Sequence, residues 1–284
     1  MLAEERVRTG DLEGALGDLT ARVKRNPGDA KLRVFLFQLL AVLGQWDRAL
    51  TQLKVAGDLD AANLAMVQTY REALRCEALR AQVFAGKKTP VVFGRPEAWV
   101  ASLIESLRLT AAGEESAASE LRASALEQAS PTSGVLDGTP FSWVADGDVR
   151  LGPILEAIIN GRYYFIPFER IRSLTLEAPS DLRDLVWMPA IVSLTTGADT
   201  VALIPARYPG TESSGDPALL MSRRTDWVAA GEGYLGLGQR TFVTDEGETP
   251  LLDARSLELN TLSDEPDDAP TDEPVDEPAD EPAA

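Results

Sequence analysis

The sequence predicts an α+β protein in which stacked helical hairpins precede a small domain built on a bent, mostly antiparallel sheet. Three observations carry this reading. Gly10-Asp11-Leu12-Glu13-Gly14-Ala15-Leu16 recurs as Gly44-Gln45-Trp46-Asp47-Arg48-Ala49-Leu50, an offset of 34 at every matched position. From about residue 139, helical periodicity gives way to short β-rich runs broken by Pro and Gly. The last 22 residues hold ten Asp or Glu and no Lys or Arg.

The helical part spans residues 1–110. Leu19 maps onto Leu53 at the same offset of 34, and Asn26-Pro27-Gly28-Asp29 forms the turn between the copies. A period of 34 with Gly, a bulky residue, Ala and then Pro is the tetratricopeptide signature. Glycine lets the chain turn between antiparallel helices, alanine permits close approach, and the bulky residue fills the wedge. Trp46, Ala49, Leu50 and Leu53 share one helical stripe. The stretch 32–43 is apolar nearly all round, as suits a helix between two neighbours. A third helix is expected at 61–84, with Val67, Tyr70, Leu74 and Phe84 inward and Gly86, Lys87 and Lys88 at its end. Pro96 opens a fourth, carrying Val100, Leu103, Ile104 and Leu107. Two good repeats are fewer than a solenoid needs, so later elements are expected to cap them.

Residues 111–138 read as a polar helical linker, and 139–260 as the α+β domain. Strands are expected at 141–144, 163–166, 171–176, 190–194 and 201–204. One helix is expected at 151–159, between Gly152-Pro153 and a stop at Asn160-Gly161. Trp143 and Trp227 read as core aromatics of the sheet. Residues 261–284, an acidic run of DEP-type repeats, cannot bury apolar surface and read as disordered.

Composition excludes much chemistry. The chain has 45 acids against 27 bases, a net charge of −18, so nucleic acid and anionic membrane are poor partners. The absence of histidine removes Ser-His-Asp triads, imidazole bases and His-ligated metals. A single cysteine, Cys76, excludes an intramolecular disulfide and a Cys-cluster metal site, and reads as a buried small hydrophobe. No cofactor and no metal are expected. All five lysines lie by residue 88, so the remainder offers no Schiff-base or P-loop lysine. The acidic start is not a secretory signal, and the most apolar stretch, 34–43, is half the length of a membrane span. A reducing, cytoplasmic setting is expected.

Two local motifs invite chemistry. Asp146-Gly147-Asp148 looks like the start of a Ca²⁺ loop, but Val149, Arg150 and Leu151 follow where oxygen ligands are needed. A turn is the better reading. Gly233-Tyr234-Leu235-Gly236-Leu237-Gly238 has the glycines in the wrong order for a phosphate loop and no lysine near, so turns or bulges between strands are expected. Carboxylate-pair hydrolysis needs no histidine, and Asp146 or Asp148 with Asp184 would be its candidates. No catalytic residue is assigned.

Resemblance becomes specific in the sheet domain. The segments that carry it are Phe141-Ser142-Trp143-Val144-Ala145-Asp146-Gly147-Asp148-Val149-Arg150-Leu151-Gly152-Pro153, Asn160-Gly161-Arg162-Tyr163, Ile166-Pro167-Phe168, Leu182-Arg183-Asp184-Leu185-Val186-Trp187, Ile204-Pro205-Ala206-Arg207-Tyr208-Pro209 and Gly236-Leu237-Gly238-Gln239-Arg240. In the repeats, Leu36-Phe37-Gln38-Leu39-Leu40 followed by Gly44-Gln45-Trp46-Asp47-Arg48-Ala49 joins them. In their order and joint spacing these resemble the ImpE/TagJ family, an accessory component of bacterial type VI secretion systems. The acidic tail departs from the family pattern. The resemblance implies a non-catalytic cytoplasmic adaptor. Its partner would be the N-terminal helix of the small contractile-sheath subunit and, through it, the AAA+ recycling ATPase ClpV. A generic repeat scaffold or assembly chaperone with another protein client is the alternative.

The repeat frame places a peptide groove. First helices of each pair line the concave face, which puts Glu4 and Val7, then Lys31, Val34 and Gln38, then Gln68 and Glu72 there. Arg183, Asp184, Arg207 and Tyr208 form a second candidate, a docking patch, because Arg and Tyr are common interface anchors. An Arg-Asp bridge bracing the domain is the structural alternative.

Overall fold

The computed structural model describes residues 2–197, 199–231 and 233–261. Helices α1 (Ala3–Thr9) and α2 (Leu12–Arg25) form the first hairpin, and α3 (Ala30–Val42) and α4 (Trp46–Leu59) the second. The repeated glycines act alike: Gly10 and Gly44 both take positive φ, 87° and 67°, and end the first helix of each pair. Asp11 caps α2 by accepting from the Gly14 amide, and Asp29 caps α3 through Leu32. Ala15, Leu19, Ala49 and Leu53 are fully buried at the positions the period assigns them. Three further helices follow: α5 (Leu64–Phe84), α6 (Ala98–Ala111) and α7 (Glu115–Gln128).

Fourteen strands are assigned among the described residues. Nine form one sheet: β1 (Val91–Val92), β2 (Gly134–Leu136), β3 (Thr139–Phe141), β5 (Ile154–Ile159), β6 (Arg162–Pro167), β7 (Ile171–Leu176), β8 (Trp187–Leu194), β9 (Asp199–Pro205) and β14 (Ser256–Leu259). Their order is β1-β6-β5-β9-β8-β7-β14-β2-β3, antiparallel except for the β1–β6 pair. A three-stranded sheet joins β4 (Val144–Asp146), β12 (Thr241–Thr244) and β13 (Gly247–Pro250), and a hairpin joins β10 (Thr225–Ala230) to β11 (Gly233–Gly238).

The large sheet has a core on each face. Ile154, Ile158, Tyr163, Phe165, Trp187 and Leu203 pack with the helices. Leu155, Ala157, Ile159, Ile166, Met188, Ala190 and Ile204 point the other way, into a second core closed by Phe242, Leu251 and Leu257. The expected capping of the two repeats is therefore done by the sheet. Trp187 lies 5.9 Å from Trp46 and 5.7 Å from Tyr70, ring centre to ring centre.

Several expectations need correction. The helix expected at 151–159 is strand β5, with all six of its residues buried. A strand covered on both faces is a continuous apolar run, so period alone does not separate it from a buried helix. Asn160-Gly161, read as a helix stop, is the two-residue turn into β6, with φ of 49° and 73°. Within the helical segment expected at 111–138, α7 packs on α6, and what was not expected is strand β2 after it. The strand expected at 141–144 is split between β3 and β4, and Trp143 between them is 38 % exposed instead of core. The glycine-rich 233–238 segment is strand β11 itself. Residues 262–284, almost all of the expected tail, lie outside the described residues.

Candidate protein-binding groove

In the repeats α2 packs between α1 and α3, and a cavity of about 520 Å³ opens over α3 with Glu4 of α1 on its edge. Its floor is Val34, Phe35 and Leu32 of α3. Glu4, Arg22, Lys31, Gln38, Asp60, Asn63 and Asp181 form the walls. Arg22 donates to the Glu4 carboxylate at 3.1 Å, fixing one rim. Glu4 is held below its usual pKa by its own backbone amide and then by Arg22. Half-buried apolar side chains ringed by charges of both signs make a surface complementary to an amphipathic segment.

Of the seven residues expected to line the groove, Glu4, Lys31, Val34 and Gln38 are brought together there. Val7 is buried in the core, and does not line it. Gln68 and Glu72 border a different cavity of about 590 Å³ between α5 and the sheet, with Ile158, Gly161, Val201 and Leu203. The repeat frame does not run on through α5: that helix packs on α4 behind it, and beyond that it meets β6 as well as α6, so no close third hairpin forms among the described residues. Glu72 is also occupied by Arg71 and Arg75, at 3.2 and 3.0 Å. Arg22, Phe35, Asp60, Asn63 and Asp181 were not foreseen. Phe35 adjoins Val34 and was within reach of the repeat argument. Asp181 comes from beyond the repeats, and nothing local marks it.

The candidate docking patch does not form one exposed face. Arg207 is 4 % and Tyr208 0 % exposed. Arg207 donates from Nη1 to the carbonyls of Val42 (2.7 Å) and Leu220 (2.8 Å). The Tyr208 hydroxyl accepts from the Thr241 amide at 3.1 Å, and its ring lies 5.5 Å from Trp227. Asp184 is buried and accepts from the amides of Ser180 and Asp181, completing a capping box. Arg183 stacks over Tyr70 at 4.9 Å and pairs with Asp181 at 2.5 Å. Residue types favoured at interfaces are here spent inside the molecule, where the sheet meets the repeats.

A buried ionic network, also not foreseen, ties the same two parts. Arg80 of α5 grips Glu156 of β5 through Nε (2.6 Å) and Nη2 (2.9 Å), and donates to the Arg207 carbonyl at 2.8 Å. Arg240 lies 3.3 Å from Glu156 and 2.7 Å from Asp146, and Tyr163 donates its hydroxyl proton to Glu156. Trp187 donates to Glu77 at 2.8 Å. Burial alone would raise the Glu156 carboxyl, but Arg80 and then Arg240 outweigh it and hold the group below its usual range. At Asp146 burial wins over Arg240 and pushes the carboxyl up to about 6. Burial pushes the Cys76 thiol up to about 12. The carboxylates considered for hydrolysis thus have other work: Asp146 holds Arg240, Asp148 holds Arg150 at 2.5 Å, and Asp184 caps a turn.

Residues 138–258 match the family described as ImpE protein. The chain is 54 % identical, over 258 residues, to the type VI secretion system accessory component TagJ of Pseudomonas aeruginosa, with 91 % of each chain covered. It belongs to the ImpE/TagJ family. Its fold is also that of the crystal structure of protein VPA1032 from Vibrio parahaemolyticus, with a TM-score of 0.83 at 27 % identity, over 90 % of this chain and 97 % of that one. Within this ImpE/TagJ chain the ImpE match holds Glu156, Arg207 and Arg240, and all of the α1–α3 groove lining except Asp181 lies N-terminal to it. No helix among the described residues is long and apolar enough to cross a membrane.

Proposed function

We propose that this ImpE/TagJ chain is a non-catalytic, cytoplasmic adaptor of a type VI secretion system. It holds the N-terminal helix of the small contractile-sheath subunit in the α1–α3 groove, and through that subunit links the sheath to the AAA+ recycling ATPase ClpV. Residues 1–110 supply the groove except for Asp181, and residues 139–260 brace it. The observation that carries the reading is the groove itself: an apolar floor of Val34 and Phe35 rimmed by Glu4, Lys31, Asp60 and Asp181. Such a seat takes the apolar stripe of a helix and fixes its register by charge. The accessory role carried by the name of the P. aeruginosa relative supports the setting.

The test is capture of the small sheath subunit, full length and without its first helix. The full-length form should bind and the shortened form should not. Lys31→Glu with Val34→Asp should abolish capture while circular dichroism stays unchanged. Equal binding of both subunit forms refutes the reading and leaves a scaffold with another client.

A further inference from the structure

Successive repeats differ by a shift of 34 residues, and a segment far along the chain reads that shift from outside. Arg223 donates from Nη2 to the carbonyls of Arg8 (2.9 Å) and Val7 (3.4 Å). Arg207 donates from Nη1 to the carbonyl of Val42 (2.7 Å), and its Nη2 reaches that of Ala41 (3.5 Å). Adding 34 to 7 and 8 gives 41 and 42, so the two guanidiniums grip equivalent carbonyl pairs of α1 and α3. The local frames match too. Gly10 donates to Val7 and Asp11 to Arg6, as Gly44 donates to Ala41 and Gln45 to Leu40.

The turns after these helices are held in the same register. Gly10 lies against Pro217, 3.7 Å from where a Cβ would stand, and a Cβ on Gly44 would overlap Glu212. Segment 207–223 therefore runs along both repeats, with Arg207 and Glu212 on the second and Pro217 and Arg223 on the first. It contacts the last-turn carbonyls, which have no further intrahelical donor and stand at the negative end of the helix dipole, where a cation is attracted. Both gripped helices line the groove: Glu4 comes from α1, and Lys31, Val34 and Gln38 from α3.

We propose that Arg207 and Arg223 are positioning residues that fix the spacing of α1 and α3, and so the width of the groove they both line. The spacing is independent of what occupies the groove; its consequence for affinity rests on the helix-binding reading above.

Arg223 is solvent-accessible at the edge of this contact, so Arg223→Ala leaves the core intact. Spin labels at Glu5→Cys and Lys54→Cys, both exposed positions, in a Cys76→Ser background report the first hairpin against the second. The distance distribution should be narrow with Arg223 present, broad in Arg223→Ala, and narrow again in Arg223→Lys, which returns a cation to the carbonyls. A labelled peptide of the sheath subunit's first helix should bind Arg223→Ala about tenfold more weakly, and Arg223→Lys nearly as the unmodified chain. An unchanged distribution in Arg223→Ala, or a broad one that Arg223→Lys does not restore, overturns the proposal. Broadening in Arg223→Ala restored by Arg223→Lys, together with no peptide binding by the unmodified chain, sustains the proposal and refutes the helix-binding function instead.

Discussion

Replacing Glu156 by Gln keeps the shape of a fully buried side chain and removes its charge. In the native network Arg80, Arg207 and Arg240 face Glu77, Glu156 and Asp146, three cations against three anions, all buried. The substitution leaves one positive charge in excess. Arg80 then has only Glu77, at 3.6 Å, as a carboxylate partner, and Arg240 only Asp146, at 2.7 Å. Breaking one side of a buried pair costs about 3–5 kcal/mol, since the orphaned ion keeps its desolvation penalty. Urea unfolding at neutral pH, followed by far-ultraviolet circular dichroism and tryptophan fluorescence, measures it. The acid limb gives a second readout. The folded Glu156 group titrates below its usual 4.5, so its contribution is complete above that value and is lost as pH falls through the lower folded one. Glu156→Gln should lack that loss. Arg80→Met with Glu156→Leu should cost less than the sum of the single changes, because removing one cation with one anion keeps the buried charges balanced. A Glu156→Gln variant within about 1 kcal/mol of the unmodified chain would refute the reasoning, since an effect that small belongs to exposed pairs.

Two further outcomes follow from the same geometry. Gly236→Ala places a Cβ into the buried ring of Tyr208, whose hydroxyl is pinned by the Thr241 amide; a loss of about 3 kcal/mol, or roughly 6–12 °C in Tm, is expected, and an unchanged calorimetric transition would contradict the packing. Asp146 titrates near 6 when folded against a usual 3.8. An acid with a raised folded pKa loses stability as pH rises between those values, so the unmodified chain should weaken relative to Asp146→Asn from pH 4 to 6, by up to about 3 kcal/mol. A pH-independent difference between the two would count against it.

The repeats were legible because a 34-residue period constrains every position at once, and Ala15, Leu19, Ala49 and Leu53 sit where it places them. Strand β7 was equally plain, although a register shift between Ile171 and Ser173 interrupts its alternation. Strand β5 was not, because burial on both faces erases alternation. The β10–β13 strands were missed for a related reason: Gly233–Gly238 reads as a loop until Tyr208, distant in sequence, is seen to demand a glycine opposite its ring. Four of the eleven residues lining the groove, Glu4, Lys31, Val34 and Gln38, followed from the repeat frame. The rest did not, since Asp181 reaches it from beyond the repeats and α5 also packs on the sheet. Arginines 80, 207 and 240 look like surface residues in a sequence; only the need to cap two lone repeats gives them a reason to be inside.

The most direct test places a photo-crosslinking amino acid at Val34, on the groove floor, or at Val201, which borders the separate α5–sheet cavity. Incubated with the small sheath subunit and irradiated, the chain labelled at 34 should capture the first helix of that subunit and the chain labelled at 201 should not. Capture from 201 with none from 34 would contradict the groove as the seat of the helix.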